Sequence, residues 1–363
     1  MLLRRDRPRA LAVADAVMTA AERLGLDDVV ADTFITKGVL VSQAGRGRES
    51  IALMSAGINV ARQIGEPTIA LRGCVNLSHV LEPLEGLEVE RDGYVEARRL
   101  GLASQAMLLL GNAVAYAVDT GEWAWAADAA HEALLGATDR LGVLCSLVWV
   151  DGLRGLPIDA YVAEIEAWGG GSDLAVAAAD LADSRLAQTL SQPDMAAAFD
   201  IAYEMEVDEL AGAGYGLLWA ARTASLLGER ERLERVVPLL ARHGPGSRLL
   251  LASRHQVEAS LAALDGDEGG SLAGWREARR LYQDLGCRPA LALCDVAMGS
   301  LLPHSEPAVR AALDRPAPSW WSCRRPWLAL LDAIDAPGGG IAGEGPPSDV
   351  GGRVSASTAQ GHP

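Results

Sequence analysis

Only one of the 363 residues is a lysine, Lys37, two are phenylalanine, and aromatic side chains make up 5% of the chain. A phosphate-binding loop of the form GxxxxGK[ST] is excluded, because Lys37 is followed by Gly38 and falls inside a helical pattern. A lysine Schiff base is disfavoured on the same ground, and Lys37 reads as a solvated or groove-facing side chain. No GxSxG elbow is present, and no GxGxxG follows a strand. His131-Glu132 opens an HE pair, but Leu135 stands where a zinc-binding HExxH helix needs its second histidine. The five cysteines (Cys74, Cys145, Cys287, Cys294 and Cys323) form no CxxC pair and are odd in number, which favours buried free thiols in a reducing cytoplasm. Uncharged apolar stretches stay short of the roughly 18 residues a membrane span needs.

The six histidines are scattered, and His243 and His255, near a turn and on the helix after it, read as helix-end or surface residues. Acidic pairs such as Glu164/Glu166 and Asp180/Asp183 read as wet helix faces, since no Glu-x-x-His repeats on two helices. The expectation is a chain without catalytic residues, cofactor or metal.

Half of the sequence is hydrophobic, and most of that share is Ala, Leu and Val. Ala and Leu are strong helix formers, and long β-branched alternating runs are missing, so the fold class is all-α. The formal charge of −16 and a pI near 4.8 argue against direct nucleic-acid binding. The opening segment MLLRRDRPRALAVADAVMTAAERLG is basic and then partly apolar. Asp15 and Glu22-Arg23 interrupt it at helical spacing, so it reads as an amphipathic helix and not a signal peptide. A cytoplasmic location without membrane contact follows as an expectation.

Helices stop in a similar way along the chain, at Gly25, Gly65, Gly101, Gly136, Gly171, Val207, Gly244 and Gly286. Successive stops lie 40, 36, 35, 35, 36, 37 and 42 residues apart. Glycine takes the left-handed C-cap conformation cheaply, which explains its recurrence at these stops. Between stops lies an apolar helix, a short turn and a second helix, which makes about eight hairpins. The clearest copy spans Ala31 to Leu81, with turns at Ala44-Gly45-Arg46 and Gly65-Glu66-Pro67. Phe34, Gly38 and Val41 mark one face of its first helix. Ala52, Ala56 and Val60 mark one face of the second, with Ile51, Met54 and Ile58 beside them. One hairpin cannot bury such a face alone and needs neighbours.

Two places depart from the rhythm. Glu82 to Gly93, EPLEGLEVERDG, is acidic and punctuated by proline and glycine, which predicts a longer loop opening the third unit. Past Pro303, prolines and Trp320, Trp321 and Trp327 replace the repeat, with a capping helix expected near Pro326 to Ile334. The reading is therefore a helical-repeat domain over residues 1–336 and a disordered Gly/Pro-rich tail over 337–363. Arg9 to Leu24 reads as the second helix of a hairpin whose first is missing, so Met1 is expected near a cut. Such a chain is a truncated gene product or the detached tail of a larger regulator.

Solenoids bind along their inner groove, which the first helix of each hairpin lines. That helix supplies Arg72 and Asn76, then Asn112 and Tyr116, then Trp149, Arg185, and Trp219 with Arg222. Arg and Trp anchor partners through forked hydrogen bonds and stiff contact area. Trp149 and Trp219 also sit in apolar runs that favour a core role, and Arg72 and Arg222 also suit the capping of neighbouring helices.

Phe34-Gly38-Gly45 and Met107-Gly111 resemble the tetratricopeptide pattern in degenerate form, which implies a right-handed α-solenoid. The stretch AERLGLDDVVADTFITKGVLVSQAGRGRESIALMSAGINVARQIGEPTIALRGCVNLSHVL resembles the repeat region of large bacterial signalling ATPases. That group includes adenylate or guanylate cyclase-like proteins and large LuxR-type transcriptional regulators. WREARRLYQDLG is similar to the last repeats of such tails, and the likeness spans roughly residues 9 to 300. It implies a sensor or scaffold that binds a protein or peptide partner, or a small inducer, and controls an attached output. A peptide or small-molecule receptor closing around its ligand is the alternative. No ATPase, cyclase or helix-turn-helix motif is present to carry those activities, and the Arg-rich, Lys-poor composition fits a high-GC actinobacterial genome.

Overall fold

A computed structural model describes residues 6–136, 140–154, 156–168, 174–191, 194–207, 215–242 and 247–302. Among the described residues there are sixteen helices: α1 (Arg7–Leu24), α2 (Asp27–Ser42), α3 (Gly47–Ile64), α4 (Pro67–Ser78), α5 (Pro83–Arg99), α6 (Ala103–Thr120), α7 (Trp123–Leu134) and α8 (Leu141–Leu153), then α9 (Asp159–Trp168), α10 (Leu174–Ser191), α11 (Met195–Val207), α12 (Tyr215–Leu227), α13 (Arg230–Arg242), α14 (Arg248–Leu264), α15 (Glu268–Asp284) and α16 (Arg288–Leu301). Each packs on its neighbour in sequence, as expected of a helical repeat. The expected capping helix near Pro326 to Ile334 and the tail over 337–363 lie outside the described residues, as do Cys323, Gly171 and Gly244.

The predicted stops among the described residues stand at the ends of second helices, α1 at Gly25, α3 at Gly65, α5 at Gly101, α7 at Gly136, α11 at Val207 and α15 at Gly286. At Gly25, Gly65, Gly101 and Gly286 the backbone turns left-handed, with φ of 69°, 79°, 71° and 68°. The residue after each glycine donates its N–H five positions back, as in Leu26 to Ala21, Glu66 to Ala61, Leu102 to Ala97 and Cys287 to Tyr282. That pairing satisfies carbonyls a helix end would otherwise leave open. The first helices α6, α12 and α14 end at further left-handed glycines, Gly121, Gly228 and Gly266, which the repeat pattern did not single out.

The longer loop predicted over Glu82 to Gly93 does not exist; α5 begins at Pro83 and runs through it. Proline suits the first helical turn, where its missing N–H costs nothing. Gly86 and Gly93 are buried contact points: a Cβ at Gly86 would stand 3.0 Å from the Tyr116 ring, and one at Gly93 would stand 2.9 Å from Leu109. The predicted face of α3 is also rotated. Ala52 is exposed, and the buried stripe is Ser50, Met54, Gly57, Ile58 and Ala61. Ser50 Oγ donates to Gly38 O at 2.8 Å, which fixes the close α2–α3 crossing.

One continuous apolar core runs from Ala31 to Met298, and a smaller cluster of Met18, Ala21 and Val30 ties α1 to α2. Cys74, Cys145, Cys287 and Cys294 are buried free thiols, as expected. The period of the repeat is visible in its ion pairs. Arg62 reaches Glu96 at 2.8 Å and Arg98 reaches Glu132 at 3.1 Å, each 34 residues on, joining successive second helices.

The last helices turn back on the third and fourth hairpins. Arg288 donates from Nε to Thr120 O at 3.0 Å, and from Nη2 to Gly121 O at 3.1 Å and Glu122 Oε1 at 2.8 Å. Pro289 lies where a Cβ on Gly121 would stand 3.2 Å away. Helix α16 also packs on α12 and α14, and no helix among the described residues is long and apolar enough to cross a membrane.

Candidate functional site

All eight predicted groove residues fall on first helices: Arg72 and Asn76 on α4, Asn112 and Tyr116 on α6, Trp149 on α8, Arg185 on α10, and Trp219 and Arg222 on α12. The structure divides them into an inner set, an outer strip and one outlier.

Trp149, Trp219 and Arg222 form the inner set, with 4%, 2% and 2% of their surface exposed. The two indoles stack at 5.2 Å between centroids, and Tyr215 meets Trp149 edge-on at 5.4 Å. The Arg222 guanidinium lies 5.0 Å above the Trp219 ring and donates to Asp119 Oδ1 at 3.0 Å. These side chains fill the interior where α6, α8 and α12 converge, and offer a partner almost no surface. Large aromatics in uninterrupted apolar runs bury well, which is why the core role stands at Trp149 and Trp219.

The outer strip crosses α2, α4 and α6. Arg72 Nη2 donates to Asp32 Oδ1 at 2.6 Å and Asp32 O at 3.0 Å, with Thr36 Oγ1 at 3.4 Å. The Arg72 side chain is still 40% exposed. Asn76 donates to Arg72 O at 2.8 Å, one turn back along α4. Asn112 Nδ2 donates to Glu90 Oε1 at 3.1 Å. Tyr116 crosses Gly86 and donates its hydroxyl to Ser78 O at 2.8 Å, clasping α4, α5 and α6. Burial pushes the Tyr116 phenol up to about 12, so it stays a neutral donor. Arg185, on α10, is exposed and apart from both sets.

Three carboxylates contradict the expectation that the acids are wet helix faces: Glu90, Asp119 and Asp151 are 0%, 8% and 2% exposed. Glu90 sits beneath the strip, where Ser78 Oγ donates to its Oε1 at 2.5 Å, while Oε2 has no hydrogen-bond partner among the described residues. Burial pushes its carboxyl up to about 7, against the opposing pull of the Ser78 and Asn112 hydrogen bonds. Asp151 joins α7, α8 and α9 through His131 at 3.2 Å, Arg154 at 3.5 Å and the Tyr161 hydroxyl at 3.4 Å. Burial raises this carboxyl, and the His131 and Arg154 charges oppose the rise. Apart from Arg154, which follows Asp151 by three residues, their partners lie on other helices, so little in the local pattern marks these acids. The one lysine, Lys37, pairs with Asp15 at 2.6 Å.

Among the described residues, no three metal-ligating side chains come together. What the strip provides is a fixed guanidinium fork beside amides and hydroxyls, a donor set suited to backbone carbonyls and carboxylates. No protein-family model and no curated protein matches the chain.

Proposed function

We propose that the chain is a non-catalytic helical-repeat module that binds a protein or peptide partner along the groove lined by the first helices α2, α4 and α6. The observation that carries this reading is the alignment of half-buried polar side chains on three adjacent first helices. Arg72, Asn76 and Asn112 are each held by an intramolecular hydrogen bond while part of each stays at the surface. Held this way, they lose little further conformational freedom when a partner arrives. The buried Trp149, Trp219 and Arg222 support the array from within, and Arg185 lies outside the strip. Successive hairpins wind in a right-handed superhelix in this reading, and the module serves bacterial signalling or transcriptional regulation. Support for that role is the likeness of residues 9–300 to the repeat tails of signalling ATPases and LuxR-type regulators. The test uses the chain as bait in cells of the source organism, comparing it with R72A/N112A. A partner retained by the first and lost from the second supports the reading. A partner held equally by both, or by neither, removes it.

A further inference from the structure

Helix α1 buries Ala14, Met18 and Ala21 against α2 and leaves a second apolar stripe uncovered. That stripe is Ala10, Val13, Val17, Ala20 and Leu24, spaced three and four residues apart. Val13 is 53% exposed, Val17 40% and Leu24 72%. Alternating three and four is the spacing with which one helix meets another along a seam. Between the stripe and Thr33, Thr36 and Leu40 of α2 runs a groove of about 280 Å³. Arg9 stands at its rim. Arg23 lies on the same flank of α1, two helical turns below Ala16. Neither guanidinium has a counter-ion among the described residues.

We propose that this groove receives an amphipathic helix of a partner protein, with apolar residues at three- and four-residue spacing and acidic side chains facing Arg9 and Arg23. The charge on the flank decides the occupant. A second copy of α1 laid antiparallel on the stripe would set the Arg9 of each chain against the Arg23 of the other, like against like. An acidic helix meets opposite charge at both places, and its apolar seam covers Val13 and Val17. On the α2 side it faces Thr33, Thr36 and Asp32, whose charge Arg72 neutralises, so the groove adjoins the outer strip. The inference deepens the binding-module reading and rests on it.

The test titrates the full chain into a fluorescent 21-residue helical peptide carrying a leucine/alanine seam and a glutamate edge. A control peptide carries lysine in place of glutamate. Expected is saturable binding of the acidic peptide, weaker by about fivefold or more for the lysine peptide, in line with the loss of two exposed ion pairs. V13D/V17D, at exposed positions, should keep the circular dichroism of the parent and abolish binding. Equal binding of both peptides, unchanged binding to V13D/V17D, or no binding at all would overturn the proposal. So would self-association of the chain that V13D/V17D removes, since the occupant is then a second copy. Capture of a cellular partner that needs Arg72 but not Val13 or Val17 would retain the module and remove this groove.

Discussion

Arg222 and Asp119, 103 positions apart in sequence, form a buried ion pair at 3.0 Å that joins α12 to α6. Breaking such a pair leaves one charge without compensation in the interior, which costs about 3–5 kcal/mol. D119A and R222A should therefore each lower the free energy of urea unfolding by that amount. The double substitution D119L/R222M removes both charges and should recover most of the loss. Double-variant stability no better than that of either single one would show that packing, and not charge, dominates here.

Glu90 makes stability depend on pH in an uncommon direction. Its carboxyl sits near 7 in the folded chain, against an ordinary value of 4.5. The folded state thus holds the proton more tightly than the unfolded one. The stabilisation is complete below about pH 4.5, falls as pH rises toward 7, and is gone above it. A shift of this size corresponds to something on the order of 3 kcal/mol. E90Q keeps an acceptor for Ser78 and Asn112 without the charge. Its melting temperature should exceed that of the parent at pH 8 and match it near pH 4.5. An equal difference at both pH values would contradict the assignment.

Close helix crossings rest on individual glycines. A Cβ at Gly57 would stand 2.7 Å from Ala31 O, a backbone atom that cannot move alone. G57A should destabilise by about 1–3 kcal/mol, the usual cost of overpacking. At Gly142 a Cβ meets nothing within 4 Å, so G142A should stay within about 0.5 kcal/mol of the parent. Urea unfolding of the two variants side by side gives the comparison.

Arg288 fastens the N-terminal end of α16 to the carbonyls that end α6. Charge-assisted hydrogen bonds of this kind contribute about 1.5–3 kcal/mol each where buried, and less at a half-exposed side chain. R288A should speed amide exchange in residues 117–122 and in α16, while α2 and α3 stay protected as before. Uniform loss of protection would mean that the whole array unfolds as one unit, with no local closure.

Much of this architecture could be read from residue order alone, because local rules produce it. Stops such as Gly25, Gly65 and Gly286 are set by backbone conformation and lie on the surface of the pattern. The Glu82–Gly93 segment misled because glycine and proline mark a loop in isolation, whereas here Pro83 starts a helix and Gly86 makes room for Tyr116. The rotated face of α3 has a similar origin: Ser50 and Gly57 belong to the buried stripe but carry no hydrophobic signal. At the candidate site, the first helices and their residues were legible, but their depth was not. Burial of Arg222 and Glu90 follows from partners on other helices, Asp119 far along the chain and Asn112 on the next helix, that the local sequence does not name. Likewise, nothing around Arg288 announces that α16 returns to α6.

The most direct test of partner binding by the outer strip is photocrosslinking in cells of the source organism. A photoreactive amino acid is placed in turn at Arg72, at Asn112 and at Arg99, an exposed position on the second helix α5. Expected is one partner joined through positions 72 and 112 and not through 99. The same partner joined equally at all three positions, or no adduct at 72 and 112, would contradict a binding face on α2, α4 and α6.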